Sequence, residues 1–173
     1  MAAPWHEKTR ANLNRFKARY DLARRFSGIE ATQYSPETLR GYSSGIRVML
    51  AYSASEQLAH ALGENVLNWN INNKDIANAL RLSLKKIPIK LDSYVSSATL
   101  ATNFSSFMDG SHDNIRVPAT VIRVMVAHGA FTPTGADSFS KASVNALDRL
   151  SEALLNECVT IFNRWLLHYG GAP

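Results

Sequence analysis

Two residues that can do chemistry, Arg123 and His128, stand in an otherwise apolar segment that runs from position 121 to 131. The immediate neighbours of Arg123 are large and apolar. Because an unpaired buried guanidinium is strongly disfavoured, Arg123 must meet a carboxylate, an anion or a partner's surface. His128 follows about 7.5 Å along a helix axis and about 140° around it, directly before a helix-ending Gly129. A long arginine can still converge with this imidazole on one ligand, which would combine a permanent cation with a group that exchanges protons near neutral pH.

The carboxylate of Glu56 is a candidate partner for Arg123, and this pairing is the structural alternative to a functional role. In that alternative His128 is a satisfied histidine at a helix end. Glu56 and His60 are four residues apart and face the same way on one predicted helix. They form either a surface pair or a site in which Glu56 orients Arg123 or His128.

Other polar residues at short spacing indicate structural roles. Arg164 and His168, four residues apart on the last predicted helix, are expected to cap and pack. His112 and Asp113 lack the further ligands of a metal site and are expected to form a turn and helix cap. The single cysteine, Cys158, excludes an internal disulfide framework and a Cys-based zinc site. No Gly-rich strand-to-helix turn supports a Rossmann or P-loop site, so neither a cofactor nor a metal is expected.

The positive charge of the chain is concentrated near its N-terminus. Residues 1–26 contain two acidic and seven basic side chains, a net charge of +5, whereas the rest of the chain carries 12 of each sign. A helix with this charge contacts nucleic-acid phosphates, is merely solvated, or docks on an acidic partner. The basic residues are Lys8, Arg10, Arg15, Lys17, Arg19, Arg24 and Arg25.

The apolar periodicity is helical almost throughout, which predicts an all-α bundle of five to six helices. We expect a single domain over 1–173, with a basic N-terminal helix within 1–28 and a core bundle over 36–168. The poor helix formers from Gly41 to Gly45 mark either a kink or a close approach by a neighbouring helix. The helix at 115–128 is apolar enough to be buried nearly all round. The predicted helices cover 6–26, 36–62, 76–87, 91–108, 115–128 and 138–168, and the stretch 64–73 is predicted to be a loop.

A membrane span is not expected, because Arg123 and His128 interrupt the longest apolar candidate before it reaches 18 residues. The basic N-terminus also lacks the apolar region of a signal peptide. A lone cysteine suits a reducing compartment. These features together predict a cytoplasmic protein.

The string from Arg123 to Gly129 (RVMVAHG) resembles the signature of the HEPN superfamily (higher eukaryotes and prokaryotes nucleotide-binding). That signature is an arginine followed, after four to six positions, by a histidine, and here four residues intervene. The ending Ala-His-Gly is similar to that of many prokaryotic members. The helical pattern over 36–168, with Glu56 in the earlier long helix, resembles the family's architecture.

The resemblance implies a metal-independent endoribonuclease of the toxin or antiviral type. Such proteins act as homodimers in which the Arg-His pairs of both protomers meet in one cleft. Arg123 would bind phosphate oxygens and His128 would transfer protons, with Glu56 positioning them. RNA would be the substrate, held by the basic N-terminal helix, and an antitoxin or regulatory protein is a further possible partner.

One position departs from this pattern. Val124 stands where catalytic members usually have Asn, Asp or His, so enzymatic activity is left open. The alternative is a non-catalytic module of the same type that binds RNA, a nucleotide or a partner protein. A plain helical interaction protein, with Arg123 in a structural ion pair, is the third alternative.

Overall fold

The computed structural model describes residues 5–86, 97–133 and 140–169, and α-helices account for most of them. Apart from an isolated bridge between Asn72 and Asn114, these residues contain no extended pairing, which confirms the all-α prediction. A single 3-10 turn, Val66–Asn68, lies in the predicted loop. The helices are α1 (Trp5–Arg25), α2 (Pro36–Leu62), α3 (Lys74–Leu84), α4 (Ala98–Asp109), α5 (Arg116–Ala127) and α6 (Lys141–Tyr169).

Local capping explains where these helices begin and end. At α2 the side chain of Ser35 accepts a hydrogen bond from the backbone N–H of Thr38, and Gly63 adopts the left-handed conformation with φ of 72°, as predicted. Two other helices begin later than predicted, because a serine caps each of them. Ser97 accepts from the N–H of Leu100 before α4, and Ser140 accepts from the N–H of Ser143 before α6. Ile87, 91–96 and 138–139 lie outside the described residues.

Helix α2 is the centre of the bundle, since α1, α5 and α6 all pack against it. Helix α3 packs on α6 and α4, and α4 packs on α5. Helix α6 contributes Leu150, Leu154 and Cys158 to this core from its inner face. No helix among the described residues has the length and apolar character needed to cross a membrane.

The small residues of α2 allow other parts of the chain to approach this helix closely, which is one of the two predicted explanations. The segments that approach at Ser43 and Gly45 are loops, not the predicted neighbouring helix. The backbone N–H of Ile29 donates to Ser43 Oγ at 3.0 Å. A Cβ added at Gly45 would lie 2.6 Å from the ring of Phe131, in the loop that follows α5. Helix α2 is continuous through this region.

The prediction that the helix at 115–128 is buried on nearly every side is wrong for its C-terminal half. Residues 116–122 are buried, but Val124 is half-buried and His128 is exposed. An apolar run shows which residues a helix can bury, whereas the neighbouring helices decide which of its faces are covered. Arg123 therefore lies at the surface of the bundle rather than in its core.

Replacing Gly45 with Ala should destabilise the protein, although Ala favours a helix by about 1 kcal/mol. The ring of Phe131, which is 4% exposed, has to move away from the added methyl group, and overpacking of this kind typically costs about 1–3 kcal/mol. Thermal unfolding of Gly45→Ala should show a lower melting temperature. The double variant Gly45→Ala/Phe131→Leu should recover part of the loss, and a higher melting temperature for Gly45→Ala alone would contradict the contact.

Candidate functional site

Arg123 reaches from α5 to α2 and pairs with Glu56. Its Nη2 lies 3.3 Å from Oε1 and 3.4 Å from Oε2 of that carboxylate. The guanidinium also lies 5.8 Å from the ring centroid of Tyr52, one turn earlier on α2. The two side chains of the ion pair are 40% and 35% exposed. The predicted pairing is confirmed, but at the surface, and the other guanidinium N–H groups make no hydrogen bond within the described residues.

A buried contact between α2 and α5 sets the position of Arg123. Arg116, Thr120 and Arg123 follow one another at helical spacing on one face of α5, and this face meets Tyr52. Thr120 Oγ1 lies 3.0 Å from the carbonyl oxygen of Arg116 and 3.1 Å from the hydroxyl of Tyr52. A threonine that donates to the carbonyl can accept from Tyr52, so both buried hydroxyls have partners.

His128 ends α5, where its backbone N–H donates to the carbonyl of Val124 at 3.0 Å and Gly129 follows with φ of 66°. The imidazole is exposed, and no hydrogen bond joins it to the described side chain of Arg123. Within one chain the structure therefore brings Arg123 to Glu56 and leaves His128 at the helix end.

His60 is exposed four residues after Glu56, and it lines a separate cleft with Thr9, Asn12 and Gly63. This cleft lies between the start of α1 and the end of α2. On α6, Arg164 and His168 are exposed and line a cleft of their own. His60 and the pair of Arg164 and His168 therefore line two different clefts on the surface.

Ion pairs within the protein offset some of the positive charge of α1. Lys17 pairs with Asp21 within the helix, and this hydrogen bond lowers the pKa of the Asp21 carboxyl. Arg24 pairs with Glu152 of α6. Lys8 has no described side chain. Arg10 and Arg25 are exposed, with no ion pair to any described residue.

Arg15 and Arg19 lie on the other flank of α1. Arg19 Nη1 donates to Ser53 Oγ of α2 at 3.2 Å. Among the described residues, the hydrogen bond of the Arg15 side chain is to Asn12 of its own helix. Ser53 and Glu56 are three residues apart on α2 and share a face. This flank of α1 therefore borders the same face of α2 that Arg123 contacts.

Helix α3 and the turn before α5 are joined by Arg81. Its Nη2 donates to Asp113 Oδ1 at 2.8 Å and to the carbonyl of His112, and its Nε donates to the carbonyl of Phe107. The prediction that His112 and Asp113 cap a helix is wrong, because α5 begins after Ile115, which makes no side-chain cap. The N–H of Arg116 instead donates to Oδ1 of Asn114.

Arg116 is a residue that the sequence reasoning missed. It is only 6% exposed, yet it has no carboxylate partner among the described residues. The argument applied to Arg123, an arginine set in an apolar helix, applies equally to Arg116 before Val117 and Pro118. That signal could have identified it.

No nucleophilic cysteine or metal centre appears in the described part of the chain. Cys158 is fully buried, and burial raises the pKa of its thiol to about 11, so it belongs to the core. No group of three or more His, Cys, Asp or Glu residues that could hold a metal ion occurs among the described residues. Comparisons of the chain with protein-family models, curated proteins and solved structures find no significant match.

Removing Arg123 should cost little stability, because ion pairs this exposed contribute about 0–1 kcal/mol. Arg123→Ala should therefore melt within a few degrees of the wild type. Arg81→Ala is the contrasting variant. Its side chain is 12% exposed, and its guanidinium donates to Asp113 and to two backbone carbonyls, so its loss should cost about 2–4 kcal/mol. Equal losses in the two variants would favour the alternative in which Arg123 is a structural ion pair.

Proposed function

We propose that this protein is a HEPN-like, metal-independent endoribonuclease with a composite site that Arg123 and His128 of two protomers form at a homodimer interface. One observation carries the proposal. Arg123 stands in an apolar helix but is held half-exposed by Glu56, on the helix that ends at the exposed His128. A surface cation and a surface imidazole are the two groups that phosphodiester cleavage without a metal requires.

The proposed reaction is attack of a ribose 2′-oxygen on the adjacent phosphorus. The bond from O2′ to phosphorus forms and the bond to O5′ breaks, which leaves a cyclic phosphate and a 5′-hydroxyl end. One His128 accepts the proton of the 2′-hydroxyl, and His128 of the other protomer protonates the departing O5′. Arg123 binds two phosphate oxygens and offsets the charge that develops on them.

The surface around the two residues supports a dimer. Val124 and Val126 are half-buried and Ala127 is exposed, so the last turn of α5 presents small apolar side chains between Arg123 and His128. In a two-fold dimer this turn would pack on its own copy and bring both pairs into one cleft. A partner copy would also supply the second histidine that the reaction uses.

RNA is the proposed substrate, and the flank of α1 that carries Arg15 and Arg19 is the proposed contact for its backbone. This flank borders the face of α2 on which Glu56 holds Arg123. In a toxin or antiviral effector, an antitoxin or regulatory protein would hold the activity in check.

A non-catalytic module that binds RNA, a nucleotide or a partner protein is the second candidate. Two observations favour it. Val124 offers no polar group beside Arg123, and Glu56 already offsets part of the charge of that arginine. This candidate predicts binding without cleavage.

Arg123→Ala and His128→Ala should each lower RNA cleavage by about 100-fold or more. Loss of a general acid or base, the role of His128, usually costs that much, and so does loss of a group that stabilises the transition-state charge, the role of Arg123. The assay uses a mixed RNA pool with EDTA present, and cleavage should leave 5′-hydroxyl ends. His60→Ala is the matched control, because this exposed histidine lies on the same face of α2 as Glu56 but away from α5.

Binding of RNA by the wild type with no cleavage of any pool would select the non-catalytic module. Full activity in both Arg123→Ala and His128→Ala would reject the composite site. A chromatographic mass of a monomer at working concentration would reject the dimer.

Neutralising one flank of α1 should weaken RNA binding more than neutralising the other. Arg15→Gln/Arg19→Gln removes the charge that contacts Ser53 and a second charge one turn earlier on the same flank. Lys17→Gln/Arg24→Gln instead removes two charges that are already paired. Each lost phosphate contact should reduce the slope of log affinity against log salt by about 1. Equal weakening by the two double variants would contradict the proposed RNA path.

A further inference from the structure

A polar cleft of about 780 Å³ lies beside the start of α5, where residues 70–74 meet residues 103–117. We call it the Arg116 cleft. Its volume is within the range of about 300–1,000 Å³ that small-molecule sites occupy. Arg116 lies about two turns before Arg123, about 10.5 Å along the axis of α5, and neither Arg123 nor His128 lines the cleft. Its polar lining includes Arg116, Lys74, His112, Asn70, Asn72 and Asn103.

The charge of Arg116 is not neutralised within the described part of the protein. Its Nε donates to the carbonyl of Trp69 at 3.0 Å, and its Nη1 donates to Thr120 Oγ1 at 3.4 Å. Both acceptors are uncharged, and a buried cation without a counter-charge is costly. Nη2 has no hydrogen-bond partner among the described residues. Since no buried side-chain nitrogen there lacks a partner, Nη2 is not fully buried, and Arg116 is a lining residue of the cleft.

The balance of charge around the cleft favours an anion. Lys74 is exposed at the cleft and adds a second cation. Asp113 also belongs to the described lining, but its Oδ1 is held 2.8 Å from Nη2 of Arg81. Arg81 therefore offsets the charge of that carboxylate, and Arg116 and Lys74 are left as the two cations of the described lining that can bind an oxyanion.

The remaining polar groups suit hydroxyls. The side chains of Asn70, Asn72 and Asn103 make no hydrogen bond to any described residue, so each offers a donor and an acceptor. Asn114 differs, because its amide is bound to the backbone of Ile71 and Trp69.

His112 is similarly committed. Its Nε2 lies 3.1 Å from the carbonyl of Asn103 and its Nδ1 accepts the N–H of Asn114. No Phe, Tyr or Trp side chain belongs to the described lining, so the cleft offers little surface on which a nucleobase could stack.

We infer that the Arg116 cleft binds a small phosphate ester with a hydroxyl-rich body, the chemistry of a sugar phosphate. The phosphate contacts Arg116 and Lys74, and the hydroxyls contact the free asparagine amides. The source of this chemistry is either a free sugar phosphate or the ribose 5-phosphate portion of a mononucleotide. The inference concerns a site separate from the proposed ribonuclease site.

The test is calorimetric titration of the whole protein with ribose 5-phosphate, AMP, inorganic phosphate and ribose. Ribose 5-phosphate should bind more tightly than inorganic phosphate, and ribose should not bind measurably. Arg116→Gln should weaken ester binding about 10- to 100-fold, the value of a charged hydrogen bond. Lys74→Ala and Asn103→Ala should each weaken it by a smaller factor.

The controls keep the outcome clear if Arg116→Gln fails to fold. Lys74 and Asn103 are exposed, so their variants should retain wild-type circular dichroism and still report on the site. Lys86→Ala removes an exposed lysine that lies beyond the end of α3 and away from the described cleft lining, and it should leave binding unchanged. Arg123→Ala should also retain ester binding, which separates this site from the ribonuclease proposal.

AMP and ribose 5-phosphate distinguish the two sources, and tighter binding of either supports the inference. The inference would be overturned if neither ester bound at about 10 mM, a concentration that detects binding free energies of about −3 kcal/mol or stronger. Equal binding of ribose and ribose 5-phosphate would also overturn it, as would unchanged binding in both Lys74→Ala and Arg116→Gln. Binding of an RNA oligonucleotide in the cleft without binding of either ester would reject a small-molecule site.

Discussion

The contact between Tyr52 and Thr120 is the constraint on which the positions of Arg116 and Arg123 depend. Tyr52 is buried on the central helix, and its hydroxyl has to find a partner because a buried polar group is costly when it is left unpaired. Thr120 supplies that partner and so fixes how α5 is rotated against α2. Arg116 and Arg123 lie about one turn to either side of Thr120. The same contact therefore directs one arginine into a cleft and the other over the tyrosine ring.

Three arginines show three ways in which this bundle accommodates a guanidinium. Arg81 is nearly buried and is neutralised by Asp113, and it also donates to two backbone carbonyls and to Oδ1 of Asn78. Arg116 is more deeply buried but contacts only uncharged oxygens. Arg123 has a counter-ion but keeps much of its surface in water. Arg81 therefore joins two parts of the fold, whereas Arg116 and Arg123 keep charge or hydrogen-bonding capacity that a ligand can use.

Much of the fold could be predicted from particular residues because the signals are local. Ser35 and Pro36 mark the start of α2, and Gly63 marks its end. The side chain of Ser35 caps the first turn, and the backbone N–H of Gly63 caps the last. The starts of α4 and α6 were placed too early because Ser97 and Ser140 stand among other polar residues, and only hydrogen bonding shows which one caps. For the site, the pairing of Arg123 with Glu56 could be proposed from the need of a guanidinium for a counter-ion. The exposure of this ion pair could not be predicted, since the surrounding helices determine which side chains are buried.

The sequence by itself determined the helical class, the main boundaries of the helices, the basic character of α1 and the identity of Arg123 and His128 as residues worth attention. These follow from periodicity, capping and charge, which act over a few residues. Only the tertiary structure decided that the second half of α5 lies at the surface, that the two flanks of α1 meet different neighbours, and that Arg116 opens into a polar cleft. Each of these depends on contacts between residues far apart in the chain, because the packing of distant helices determines which side chains are covered and which charges are neutralised.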